Sequence, residues 1–187
     1  MDAQTMAAAC VSTQRFVDNV RDDQLQLTTP CRDWDVRSLL NHLVGTLTLG
    51  EALMSDTTPP AMAPGGLPAT DLLGDDPAKA YRAGVDALLS AATDDAFTRI
   101  HITPMGEMPG TMLGGFTTLD IAVHGWDLAT ATGQPAALDD ALANQVLTFA
   151  RQTITDETRA PRIDNAVAIA ANASVTDQLI GFLGRTP

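Results

Sequence analysis

Apolar positions in this chain recur mostly at three- and four-residue intervals, the period of helices that bury one face. From Thr5 to Asp22, one stripe runs through Met6, Cys10, Thr13, Phe16, Val17 and Val20. A loop from Thr28 to Trp34 leads to Asp35, whose carboxylate is placed to cap the next helix by accepting from an orphaned N–H. That helix runs from Val36 to about Met54, with Leu39, Leu40, Leu43, Val44 and Leu47 on its apolar face. From Ser55 to Asp76 the composition turns to Pro, Gly, Ala and Thr, a long surface connection of the kind that forms lids or is simply mobile.

Asp76-Pro77 starts another helix, carried to about Thr93 by Tyr81, Val85, Leu88 and Ala92. Between Phe97 and Gly110, the alternation around Ile100-His101-Ile102 and the turn residues Thr103-Pro104-Met105-Gly106 predict a short strand or hairpin. A long helix follows from about Met112 to Thr132, stopped by Gly133-Gln134-Pro135. Asp139 caps the next, in which Leu142, Val146, Phe149 and Thr153 recur. Ala166 to Ala170 alternates like a second short strand, and Ser174 with Asp177 forms a capping pattern for a last helix to Leu183. The expectation is one mainly all-α domain over residues 1–187, a helical bundle with two short strands at most.

Composition narrows the function. Apolar residues are 45% of the chain but aromatics only 4%, so the core is built from Ala, Leu, Val and Ile. With 23 acids against 11 bases and a net charge of −12, the chain is a poor ligand for nucleic acid, whose phosphates demand cations. No basic amphipathic stretch suits an anionic membrane, and no segment is apolar enough to span one. Cys10 and Cys31 have no metal-type spacing, and the start Met1-Asp2-Ala3-Gln4 does not read as a signal peptide. Together these point to a reduced, cytoplasmic protein.

The chemistry concentrates in Leu119 to Leu128, apolar nearly all round except for Asp120, His124 and Asp127. Their spacing of i, i+4 and i+7 stacks them into one polar stripe. Ionisable groups facing a bundle interior need a partner, and a divalent metal held by Asp120 and His124 supplies one. His42, flanking the apolar stripe of its own helix, is the candidate third ligand. Asp127 suits a supporting role, orienting a ligand or the packing. The pair also suits a plain hydrogen bond along a helix. His101 reads as an exposed strand residue or a further contact. Cys31 reads as an apolar plug, or, before a helix N-terminus, as a thiol of lowered pKa. Trp34 and Trp126 read as core anchors.

Thr29-Pro30-Cys31-Arg32-Asp33-Trp34-Asp35-Val36-Arg37-Ser38-Leu39-Leu40-Asn41-His42-Leu43-Val44-Gly45 resembles the signature of the actinobacterial DinB-like proteins. These are related to the N-terminal, metal-binding domain of mycothiol-dependent maleylpyruvate isomerase. Asp120 to Ala129, with His124-Gly125-Trp126-Asp127, is similar to the family's second signature, and Asp177 to Arg185 to its usual ending. The resemblance implies a DinB-like four-helix bundle, often dimeric, with a divalent metal on His42, Asp120 and His124. Two departures stand out: Asp120 occupies the place of the family's glutamate, and the chain ends without the isomerase's additional C-terminal domain. Both leave maleylpyruvate itself open as the substrate.

The resemblance further implies chemistry with a low-molecular-weight thiol. A divalent cation with open positions binds the thiol, lowers its pKa and presents a thiolate for isomerisation or S-transfer. Zinc suits imidazole and carboxylate best, with nickel or iron fitting the same donors. The expected partners are mycothiol, a small electrophile and a second copy of the chain, with no nucleic acid and no membrane. A non-catalytic, metal-binding or stress-associated dimeric bundle is the alternative.

Overall fold

The computed structural model describes residues 1–32, 34–63, 66–159 and 163–187. Asp33 of the first motif and Pro64-Gly65 of the long connection lie outside the described residues. Among those described there are eight helices and one two-stranded sheet, as the all-α class predicted. The order is α1 (Ala3–Val17), α2 (Val36–Met54), α3 (Pro77–Ala91), α4 (Asp94–Thr98), β1 (Ile100–Thr103), β2 (Gly106–Pro109), α5 (Gly110–Thr132), α6 (Asp140–Thr153), α7 (Asp156–Arg159) and α8 (Val175–Phe182). They form two compact units, Met1–Ala136 and Ala137–Pro187.

In the first unit α1, α2, α3 and α5 close into a ring, each packed on two of the others. Met6, Phe16, Leu39, Leu43, Leu47, Tyr81, Leu88, Ile121 and Leu128 fill it. Burying a large apolar side chain of this kind contributes about 1.5–3 kcal/mol. The caps are as expected. Asp35 accepts from Ser38 N at 2.8 Å, and Asp76 accepts from Lys79 N at 2.9 Å, with Pro77 as the first residue of α3.

Helix α1 ends at Val17, short of the expected Asp22, where the apolar stripe gives way to Asp18 and Asn19 and the chain enters a 3-10 turn at Asp22–Gln24. Helices α1 and α5 approach closely at Gly125, where a Cβ would fall 2.2 Å from Thr13 Oγ1. The same hydroxyl donates to Ile121 O at 2.9 Å.

The hairpin is present, with β1 antiparallel to β2 and Ile100 opposite Pro109, His101 opposite Met108. Its faces are inverted relative to hydrophobicity: Ile100 and Ile102 are 55% and 72% exposed, whereas His101 is fully buried. The exposed-strand reading of His101 is therefore corrected, because the pleat turns it under the hairpin onto the end of α2.

In the second unit α6 packs on α8. Asp139 caps α6 through Ala141 N and Leu142 N, and Ser174 caps α8 through Asp177 N. Buried Arg159 donates to Phe182 O at 2.7 Å and lies 4.5 Å over the Phe182 ring. The strand expected at Ala166–Ala170 does not form: among the described residues the segment belongs to no sheet. Its alternation instead seats Ile169 against Gly181, where a Cβ would lie 2.1 Å from Ile169 Cγ1. Val167 N donates to Gly181 O beside it at 2.8 Å. Among the described residues, no helix is long and apolar enough to cross a membrane.

Candidate metal centre

Where α2 faces α5, the ring of helices has a polar seam. His42 and Thr46, one turn apart on α2, meet Asp120 on α5. His42 Nε2 lies 2.9 Å from Asp120 Oδ2, and Thr46 Oγ1 donates to the same oxygen at 2.6 Å. His124, one turn after Asp120, sets its Nε2 3.5 Å from Oδ1. The i, i+4 spacing on α5 sets Asp120 and His124 side by side, and His42 meets them from the other helix.

Both imidazoles are held from behind. His42 Nδ1 lies 2.8 Å from Gly66 O, a carbonyl of the Pro/Gly-rich connection. Gly66 has φ +90°, a backbone conformation that only glycine adopts without strain. His124 Nδ1 lies 2.9 Å from Asp127 Oδ2, and Asp127 is fully buried. With Nδ1–H donating in each ring, Nε2 is left facing the Asp120 carboxylate.

The loop before α2 reaches the same place. Cys31 Sγ donates to Asp127 Oδ2 at 3.1 Å and lies 3.4 Å from His124 Nδ1. The apolar-plug reading of Cys31 is corrected: its sulfur belongs to a polar chain. Trp34, half-buried, sets its ring centroid 4.7 Å from that of His42 and 5.8 Å from that of His124. It roofs the site, whereas Trp126 is buried in the core as anticipated. Thr29 fastens this loop by donating to Trp34 O at 2.9 Å.

The electrostatics describe a strongly coupled seam. Burial works to raise the Asp120 carboxyl, but the charges of His42 and His124 outweigh it and hold Asp120 well below the usual carboxylate range. Burial likewise opposes the His124 cation. The Asp120 charge and hydrogen bonds to Asp120, Asp127 and Cys31 outweigh it, raising His124 well above the ordinary imidazole value.

Each imidazole sits between acceptors, His42 between Gly66 O and Asp120, His124 between Asp127 and Asp120. Acceptors that converge on both sides of a ring can be satisfied by protons on its nitrogens or, where a carboxylate faces Nε2, by a cation between them. One ligand atom from each of His42, Asp120 and His124 lies within 4.8 Å of the others, close enough for a single ion to reach all three. Two imidazoles and one carboxylate are a donor set that zinc and other divalent transition metals accept. The residues fit a metal. Cys31, His124 and Asp127 form a second cluster of the same compactness.

His101 lies apart from this seam. Its Nδ1 is 2.9 Å from Leu53 O and its Nε2 2.7 Å from Ala96 O, so both ring nitrogens are committed to backbone carbonyls. It offers nothing to an ion.

A family model described as the mycothiol maleylpyruvate isomerase N-terminal domain matches residues 6–129. Two uncharacterized proteins from strains of Mycobacterium tuberculosis are each 36% identical over 171 residues, covering 90% of this chain and 88% of theirs. Two solved structures share the fold at 14% identity, covering 84% of this chain and 70% of theirs. They are a point mutant of mycothiol-dependent maleylpyruvate isomerase, at TM-score 0.65, and that enzyme itself, at 0.62.

Proposed function

The chain belongs to the mycothiol maleylpyruvate isomerase N-terminal domain family, and on that premise we propose that it binds a divalent metal through His42, Asp120 and His124 and acts with mycothiol as an isomerase or S-transferase. The observation that carries this reading is the shared posture of the two imidazoles. Each is fixed through Nδ1 by a protein acceptor and turns Nε2 onto one carboxylate. Such backing acceptors orient metal-binding histidines and raise their basicity.

A divalent cation bound there supplies Lewis acidity, lowering the pKa of a thiol or water that reaches its open positions. The residues of the chain do the rest. Asp127 holds His124 in the tautomer that carries its proton on Nδ1. Gly66 does the same for His42 from the long connection, which thereby covers one side of the site. Trp34 excludes water from the faces of both rings. Zinc is the proposed metal, with nickel or iron as substitutes, and the active form is proposed to be a homodimer.

Metal analysis of the purified protein, with His42→Ala and His124→Ala alongside, tests the site. Each variant should lose the ion, and undiminished metal in both would remove the ligand assignment. Incubation of the metal-loaded protein with mycothiol and a haloalkyl or bimane electrophile tests the chemistry. A metal-dependent conjugate is expected. Its absence with metal bound would favour a non-catalytic bundle.

A further inference from the structure

Threonines inside helices commonly return their hydroxyl to the carbonyl one turn back. Thr48, Thr117, Thr118, Thr132, Thr148 and Thr153 all do so here. Thr46 departs from the pattern. Its hydroxyl crosses from α2 to α5 and donates to Asp120 Oδ2 at 2.6 Å. It stands one turn after His42, so both reach Asp120 from the same helix face, and its side chain is buried.

We propose that Thr46 is a positioning residue that makes Asp120 a one-oxygen ligand and so keeps a coordination position free for an incoming thiol. The inference rests on the metal reading above. A carboxylate can hold a cation through one oxygen or both. Two imidazoles with a two-oxygen carboxylate fill four places, whereas a one-oxygen carboxylate fills three. A hydroxyl donated to Oδ2 engages one of that oxygen's two lone pairs and draws its charge, so it competes with a second bond to the ion, and it also restrains the rotation of the carboxylate about the short aspartate arm. The hydroxyl is thus placed to set the openness of the centre without being a ligand itself.

The test is a cobalt(II) titration of the full chain after metal removal by chelation, comparing wild type, Thr46→Val and Thr46→Ser. Valine keeps the shape and removes the hydroxyl. The wild type should bind one equivalent with the intense visible bands of a low-coordinate ion. Thr46→Val should bind about 10–100-fold more weakly, in the range typical for lost backing contacts, and its bands should weaken as coordination rises. Thr46→Ser should restore both. Wild-type bands in Thr46→Val, whatever its affinity, would overturn the one-oxygen role while leaving the metal reading intact. No cobalt binding by the wild type would overturn the metal reading and this inference with it. Thermal unfolding of the metal-free proteins monitors the fold, and Thr46→Val should still unfold cooperatively with a lowered Tm, since it loses one buried hydrogen bond to a carboxylate.

Discussion

Two places along α2 bury histidine, and they use it in opposite ways. At the C-terminal end of the helix, His101 reaches up from the hairpin and ties both ring nitrogens to carbonyls, those of Leu53 and Ala96. Arg99 joins it, donating to Met54 O at 2.5 Å and pairing with Asp56. The last carbonyls of a helix lack intrahelical partners, and basic side chains placed there satisfy them and suit the negative end of the dipole. In the middle of α2, His42 ties only Nδ1 to the backbone and leaves Nε2 pointed at Asp120, and on α5 His124, its Nδ1 held by the Asp127 carboxylate, also turns Nε2 to Asp120. Burial is similar in both places. The fate of the second nitrogen separates a structural clamp from a proposed ligand.

Exchanging the roles should break the comparison most visibly. His42→Ala with His124→Ala leaves Asp120 alone on the seam, and bound metal should fall by more than a hundredfold with the helical signal kept, read by metal analysis and circular dichroism. His101→Ala should do the reverse. It should leave metal binding unchanged but remove a partner from two carbonyls, Leu53 O keeping a long bond from Asp56 N at 3.4 Å, so a loss of about 1–3 kcal/mol should appear in urea unfolding. Metal lost from His101→Ala while its unfolding midpoint stays put would collapse the distinction.

A second test acts through protons. His124 has its pKa raised well above the ordinary value, and Asp120 has its pKa lowered. In the metal-free protein, the His124 contribution is complete below the unfolded imidazole pKa of about 6.5 and is lost as pH rises through the higher folded value. The Asp120 contribution is present above about pH 4 and is lost as pH falls through its depressed folded value. The stability the pair lends to the metal-free fold therefore extends from about pH 4 to about 6.5 and declines on the alkaline side. A metal bound at the seam would take the place of the protons. Affinity for the ion should weaken as pH drops, starting above the ordinary imidazole range, and binding at neutral pH should release protons. Calorimetry in buffers of different ionisation enthalpy measures that release, and none detected would mean that the seam is not protonated as described.

What the sequence made legible follows from how local the cause is. Asp120, His124 and Asp127 share a helix, so spacing alone placed them in one stripe, and the caps at Asp35, Asp76 and Asp139 depend on residues two or three positions away. His42 was found because a polar ring flanking an apolar stripe needs a reason. The supporting atoms were hidden. Gly66 O, Cys31 and Trp34 sit on irregular loops, and Cys31 meets Asp127 across 96 positions of chain. The hairpin teaches the complementary lesson. Alternation gave its period, but which face turns inward depends on what lies beneath, and the carbonyls of Leu53 at the end of α2 and Ala96 in α4 took His101 in place of the isoleucines. Ala166–Ala170 had the period without a partner, and a strand needs both.

The smallest expected effect sharpens the comparison furthest, because it sets the two candidate ligand clusters against each other through the cysteines. Cys10 is fully buried in α1, and burial pushes its thiol up to about 12, so almost no thiolate exists at neutral pH. Cys31 is half-buried beside Asp127. A thiol-specific reagent should modify one cysteine in the native protein and a second only after unfolding. If His42, Asp120 and His124 hold the ion, Cys31 supports it through Asp127 and through its 3.4 Å contact with His124 Nδ1, and Asp127 keeps its own bond to His124 when the thiol is removed. Cys31→Ala should then weaken metal binding less than tenfold, and the cobalt form should lack sulfur-to-metal charge-transfer absorption. Loss of the ion in that variant, or such absorption in the wild type, would place the metal instead on Cys31, His124 and Asp127. His42 would then be a second clamp like His101, bonded at both nitrogens for the sake of the fold.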